Sequence, residues 1–161
     1  MRTICTNVYQ FNELNKQAKQ NAIENMYDIN INYSWWDSTY EDAANAGLKL
    51  TSFNIDRGNY CNGKFINSAQ DCAQLIIKNH GKECSTYMTA SNFLRDLIKS
   101  INDDDTNEDA IEELEEEFLK SILEDYRIIL SNEYDYLTGR EAIIETIEAN
   151  EYEFTEEGEP S

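Results

Sequence analysis

The chain is poor in the residues from which most enzymes and metal sites are built. It holds one histidine, His80, so Ser-His-Asp or Cys-His catalysis would hang on that single side chain. None of G-x-x-x-x-G-K, G-x-G-x-x-G, H-E-x-x-H or G-x-S-x-G occurs. Their absence removes the common phosphate-loop, dinucleotide, zincin and hydrolase signatures. No apolar run approaches the roughly 18 residues of a membrane span, and MRTICTNVYQF lacks the apolar stretch of a secretory signal. The four cysteines, Cys5, Cys61, Cys72 and Cys84, are too scattered for a disulfide framework. They are expected as free thiols in a reducing cytoplasm. A zinc site made of Cys61, Cys72, His80 and Cys84 would need spacings unlike those of ribbons or fingers. Cys72 instead falls on one helical face with Ala69, Ala73 and Ile76, and His80 is expected at a helix end, exposed or capping. No enzymatic activity and no cofactor are expected.

Bases are scarce in one region only. Residues 1–102 hold ten acids and ten bases, whereas residues 103–161 hold 22 acids against Lys120, Arg127 and Arg140. The formal net charge of −19 therefore sits entirely in the second stretch. Such a field repels phosphate and argues against direct binding of nucleic acid. It suits a charged interaction surface.

Aromatic residues are plentiful, with ten Tyr, six Phe and two Trp in 161 residues, enough for a real core. Residues 2–9 alternate as a strand. Asn12 is placed to cap a helix over about 13–27. A second helix covers WWDSTYEDAANA, with Trp36, Tyr40 and Ala43 on one face and Gly47 as its stop. Residues 48–56 read as a strand with a bulge. Arg57-Gly58-Asn59 and Asn62-Gly63 read as turns, with a return strand at 64–66. Ser68 opens a helix that Gly81 ends. Another helix spans about Thr89 to Ile101, with Ala90, Phe93, Leu94, Leu97 and Ile98 inward. Thr138-Gly139-Arg140-Glu141 matches a capping box that starts a helix. Tyr152 and Phe154 form a last short strand. The sum is α+β: about six helices on a small, mainly antiparallel sheet made from the N-terminal strand, 48–56 and the C-terminal strand. It is expected as one domain over 1–155, neutral to 102 and acidic beyond, with 156–161 a disordered acidic tail.

The dominant element is the stretch from Asp103 to Leu137, predicted as one long amphipathic helix. Ile111, Leu114, Phe118, Ile122, Tyr126, Ile129 and Leu130 recur at steps of three or four and define its buried side. Thr106 is its expected cap. Glu112 with Glu116, and Glu113 with Glu117, are like-charge pairs at i,i+4 that each cost roughly 0.2–0.5 kcal/mol. Selection for helix stability alone would not leave them there.

Four stretches, VYQFNELNKQAKQNAIENM, WWDSTYEDA, SFNIDRGNYCNGKFI and REAIIETIEANEYEFTEEG, resemble a family of acidic proteins of bacteriophages, prophages and gut metagenomes, sometimes labelled antitoxin-like. The resemblance covers most of the chain, and ANEYEFTEEG is its most specific part. It implies a phage or mobile-element setting and brings no catalytic residues with it.

The function expected from these readings is an anti-defence inhibitor acting in the host cytoplasm. Its acidic helix face would mimic DNA and bind a basic, nucleic-acid-handling host protein such as a CRISPR effector or a restriction nuclease. Residues 108–117 hold seven acids, roughly one per 2 Å of helix axis at about 1.5 Å per residue, against one charge per about 1.7 Å in duplex DNA. The expected contact residues are Asp103, Asp104, Asp105, Glu108, Asp109, Glu112, Glu113, Glu116 and Glu117, with Trp35 as an aromatic anchor. The alternative is an antitoxin-like regulator of one protein partner, held more by aromatic burial than by charge.

Overall fold

The computed structural model describes residues 7–103 and 108–161. Most of the predicted first strand, the Thr106 cap, Asp104 and Asp105 lie outside the described residues. The chain divides into two compact units. One comprises the residues up to Trp35 together with Asn132–Ser161, and the other Trp36–Ser131.

The second unit opens with α2, Asp37–Asn45 (α1 belongs to the other unit). Gly47 follows it at φ 80°, a left-handed position that spares a Cβ from pressing on Leu75 and Cys72. The chain then forms an antiparallel hairpin, β2 (Leu48–Asn54) with β3 (Tyr60–Phe65). The register slips between Leu50 and Ser52, which is the predicted bulge. Asn62-Gly63 is not a turn as expected but lies inside β3. A Cβ at Gly63 would stand 2.6 Å from the Lys49 carbonyl oxygen and 3.0 Å from Leu123, so glycine is there for close approach. Trp36, at the N-cap of α2, and Tyr40 on α2 both meet Phe53 of β2, with ring centroids 5.8 and 6.1 Å away.

Helix α3 (Ala69–Asn79) starts where Ser68 accepts from the Asp71 N–H at 3.0 Å. Its buried face is Ala69, Cys72, Ala73 and Ile76. Helix α4 (Ser85–Ile101) begins four residues earlier than the periodicity suggested and packs on α3. Ala90, Phe93 and Leu97 are buried, but Ile98 is 59 % exposed and does not face inward. Helix α5 (Glu108–Leu137) is the long acidic element, 30 residues in one run. Phe118, Ile122, Tyr126 and Leu130 are buried along it, whereas Ile129 is 39 % exposed. A 3.6-residue period cannot keep both Ile129 and Leu130 on one narrow stripe.

In the first unit, β1 (Tyr9–Gln10) pairs with β4 (Glu153–Phe154), so the N-terminal strand does not join 48–56 in one sheet. A 3-10 turn, Phe11–Glu13, takes up the residues expected to start a helix, and Asn15, not Asn12, caps α1 (Lys16–Asn25). Its Oδ1 accepts from the Ala18 N–H at 2.8 Å. Helix α6 (Arg140–Ala149) starts as expected, although Thr138 does not cap it; its hydroxyl donates back to the Tyr134 carbonyl at 2.8 Å. Phe11, Leu14, Ala18, Ala22, Ile143, Ile147 and Phe154 close one core. The tail expected to be disordered folds back on itself. Pro160 bridges to Phe154, the Thr155 N–H donates to the Glu159 carbonyl at 2.8 Å, and Asn21 and Asn25 donate to the carbonyls of Glu157 and Gly158. Satisfied backbone groups and the close seat of Gly158 on Ala18 outweigh the charge of this segment.

Candidate functional site

A stack of three rings positions the acidic part of α5. Phe118 lies between Phe93 of α4, at 4.5 Å and 8° interplanar, and Phe65 of β3, at 5.5 Å and 16°. Phe118 and Phe93 are 3 % and 5 % exposed, so the rings fix which side of the helix can meet water. The opposite side carries Glu108, Asp109, Glu112, Glu113, Glu116 and Glu117, all exposed, with Glu115 half-buried. Among the described residues none of these seven acids takes part in an ion pair. Arg127 is spent elsewhere, forked onto Glu124 with Nη2–Oε1 2.5 Å and Nε–Oε2 2.8 Å. That hydrogen bond holds the Glu124 carboxyl below its ordinary range. Asp103, just beyond α4, is exposed. The structure thus gathers Glu108 to Glu117 on one element over some 15 Å, at about 1.5 Å per residue, with Lys120 the base beside Glu113, Glu116 and Glu117.

Trp35 belongs to the first unit. It is 9 % exposed and packs on Tyr134 at 5.8 Å within the first unit, so its ring offers a partner little surface. The half-exposed neighbour is Trp36. One buried and one half-exposed indole is the outcome that adjacent positions impose.

Sequence reasoning missed a groove walled by α4 and α5. Asn92 and Asp96 on α4 face Glu117 and Ser121 on α5, over Phe93 and Phe118. Its cavity measures about 260 Å³. One turn further along, the Thr89 hydroxyl donates to Asp125 at 2.5 Å. Burial raises the Asp125 carboxyl, the Thr89 hydrogen bond opposes that rise, and the neighbouring Glu124 charge adds to it. Nothing local in the sequence announces the groove, since it exists only through the register of two helices.

His80 takes the expected capping place at the end of α3, its N–H donating to the Ile76 carbonyl at 2.8 Å. Its side chain is 10 % exposed rather than free in solvent. Nδ1 lies 2.5 Å from the Thr86 hydroxyl, and Nε2 lies 3.3 Å from Asp42 Oδ2. The second approach lacks hydrogen-bond geometry, so the attraction across it is one of charge and dipole. Tyr126 donates to the same Asp42 Oδ2 at 3.0 Å. Threonine, histidine and aspartate in a line look like a catalytic relay, but the order is inverted. Thr86 is 2 % exposed, while the Asp42 side chain is 56 % exposed. A buried hydroxyl cannot meet a substrate, so the cluster acts as a clasp joining α2, α3, α4 and α5.

Cys61, Cys72 and Cys84 are free thiols, the first two buried and the third exposed. Burial pushes Cys61 up to about 11 and Cys72 up to about 12. Among the described residues no group of three His, Cys, Asp or Glu side chains is placed to hold a metal ion, and no helix is long and apolar enough to cross a membrane. No protein-family model, no curated protein and no solved structure matches the chain.

Proposed function

We propose that the protein is an inhibitor that engages a basic, nucleic-acid-handling protein through the acidic face of α5, taking the place of DNA. The observation that carries this reading is the row of seven acids at 108–117, six of them exposed and none ion-paired among the described residues. A helix held rigid by the ring stack presents these charges without a further ordering cost, which favours fast, steered association with a cationic channel. A phage-encoded inhibitor of a CRISPR effector or restriction nuclease, working in the host cytoplasm, is the setting that fits both the charge and the resemblance to acidic phage proteins. The rival reading, an antitoxin-like partner held by aromatic burial, loses its anchor because Trp35 is internal.

The test is displacement. A panel of purified CRISPR effectors and restriction nucleases is loaded with labelled duplex DNA, and the protein is titrated in at low and at high salt. Competitive release at low salt that weakens as salt rises is the expected outcome. A complex unaffected by salt, or one that leaves DNA bound, points to the antitoxin-like reading instead.

A further inference from the structure

The groove between α4 and α5 differs from the rest of the acidic face, because it is concave. At about 260 Å³ it lies just below the roughly 300–1,000 Å³ of small-molecule sites, which suits a single long side chain better than a free ligand. Carboxylates stand on both walls, Asp96 on α4 and Glu117 on α5, and the Asn92 and Ser121 side chains add further acceptors between them. Glu113 and Asp125 lie one turn to either side along α5. The cations near Asp96 are Arg95, 3.7 Å away and 73 % exposed, and Lys99 on the next turn; an exposed pair of that kind holds little. Acceptors spread over two walls match the five donors of a planar guanidinium better than the three of a compact ammonium.

We infer that this groove is a docking slot for one arginine side chain of the basic partner, and that it supplies selectivity while Glu112, Glu113 and Glu116 supply only attraction. The inference rests on the proposed function for the partner's sign of charge. The arginine enters between Asp96 and Glu117, forks onto one carboxylate and bonds across to the other wall, with Phe93 and Phe118 beneath it. Glu112, Glu113 and Glu116 stand on α5 alone, so these outer acids offer a guanidinium no second wall to bridge to.

Hexa-arginine and hexalysine peptides of equal charge serve as probes, with binding measured by calorimetry at one fixed ionic strength. The parent should prefer hexa-arginine. Asp96→Asn with Glu117→Gln should weaken hexa-arginine roughly tenfold, the loss expected for one charge-assisted contact. Glu112→Gln with Glu116→Gln removes the same charge outside the slot and should cost far less. Ser121→Phe fills the slot, changes no charge, and should also abolish the preference; melting curves confirm that each variant folds. Equal losses in the two double variants, equal binding of the two peptides by the parent, or an unimpaired Ser121→Phe variant each overturns the slot. If the slot selects arginine and yet no basic nuclease releases its DNA, the mimicry reading fails on its own and the slot stands.

Discussion

The two units carry nearly equal charge and use it differently. Residues 36–131 carry their excess in the last third, since 36–102 contain seven acids and seven bases while 103–131 add twelve acids, nine of them on α5, against Lys120 and Arg127. The first unit places ten acids and Arg140 over 132–161, spread across the end of α5, α6 and the folded C-terminal turn. Their supports differ too. Stacked rings hold the acidic helix of the second unit. Asparagine side chains bonded to backbone carbonyls, and a glycine pressed on α1, hold the turn of the first. Charge count alone therefore does not single out one surface. Density does, and the proposed function places the binding face on the dense stretch of α5, whose orientation is fixed by packing that the charges do not enter.

The sharpest way to break this contrast is Phe118→Ala. It empties the middle of the stack and should cost about 3–5 kcal/mol, read as a large fall in melting temperature, with every acid still present. If the acidic face then still binds its partner at the parent rate, orientation by the stack is not what makes it work. Gly158→Ala is the counterpart in the first unit. Its φ of 91° and its seat on Ala18 leave no room for a Cβ, and the expected loss is about 1–3 kcal/mol, with raised proteolysis of 155–161.

Asp125→Asn should show a smaller effect that depends on pH. Burial holds the Asp125 carboxyl above its ordinary 3.8, so the unfolded chain releases that proton first as pH rises. The group contributes no penalty below its ordinary range and an increasing one as pH climbs through its folded value. The asparagine variant should therefore melt higher than the parent at pH 7, with the gap closing towards about pH 3. A gap constant with pH would place the effect in packing rather than ionisation.

The smallest change in stability, and the largest in association, should come from converting Glu112, Glu113, Glu116 and Glu117 together to Gln. Two like-charge pairs disappear, so the melting temperature should hold or rise by the equivalent of a few tenths of a kcal/mol per pair. The rate of association with a basic partner should fall and lose much of its dependence on salt, measured by stopped flow across ionic strengths. Equal rates at every salt concentration would make the acids mere solvation.

Helices with a clear stripe and a clear stop were readable from the sequence: Ser68 opens α3 and bonds Asp71, and Gly47 ends α2 in a left-handed conformation. The acidic face was readable for the same reason, because it depends only on the period of one helix. What stayed hidden is non-local. Asn62-Gly63 has the chemistry of a turn, and only the pairing of β2 with β3 turns it into strand. Asn12 has the chemistry of a cap, and only the 3-10 turn Phe11–Glu13 moves the start of the helix on to Asn15. The tail 156–161 reads as acidic and frayed, since its partners Asn21 and Asn25 lie more than a hundred residues away. The α4–α5 groove, and the burial of Trp35 beside Tyr134, follow from tertiary register that no local pattern encodes.

The ring stack also has a consequence in time. Phe65, Phe93 and Phe118 belong to three elements far apart in sequence, so their meeting is a long-range event that must overcome loop closure. An isolated stretch like 108–117, with its own carboxylates in conflict, is a marginal helix until that meeting occurs. A newly made chain is electrically neutral through residue 102. The negative charge leaves the ribosome after that neutral stretch, and it gains its ordered spacing only when the rings close. Activity should then appear in refolding with the rate of tertiary assembly and not with the faster rise of helical signal.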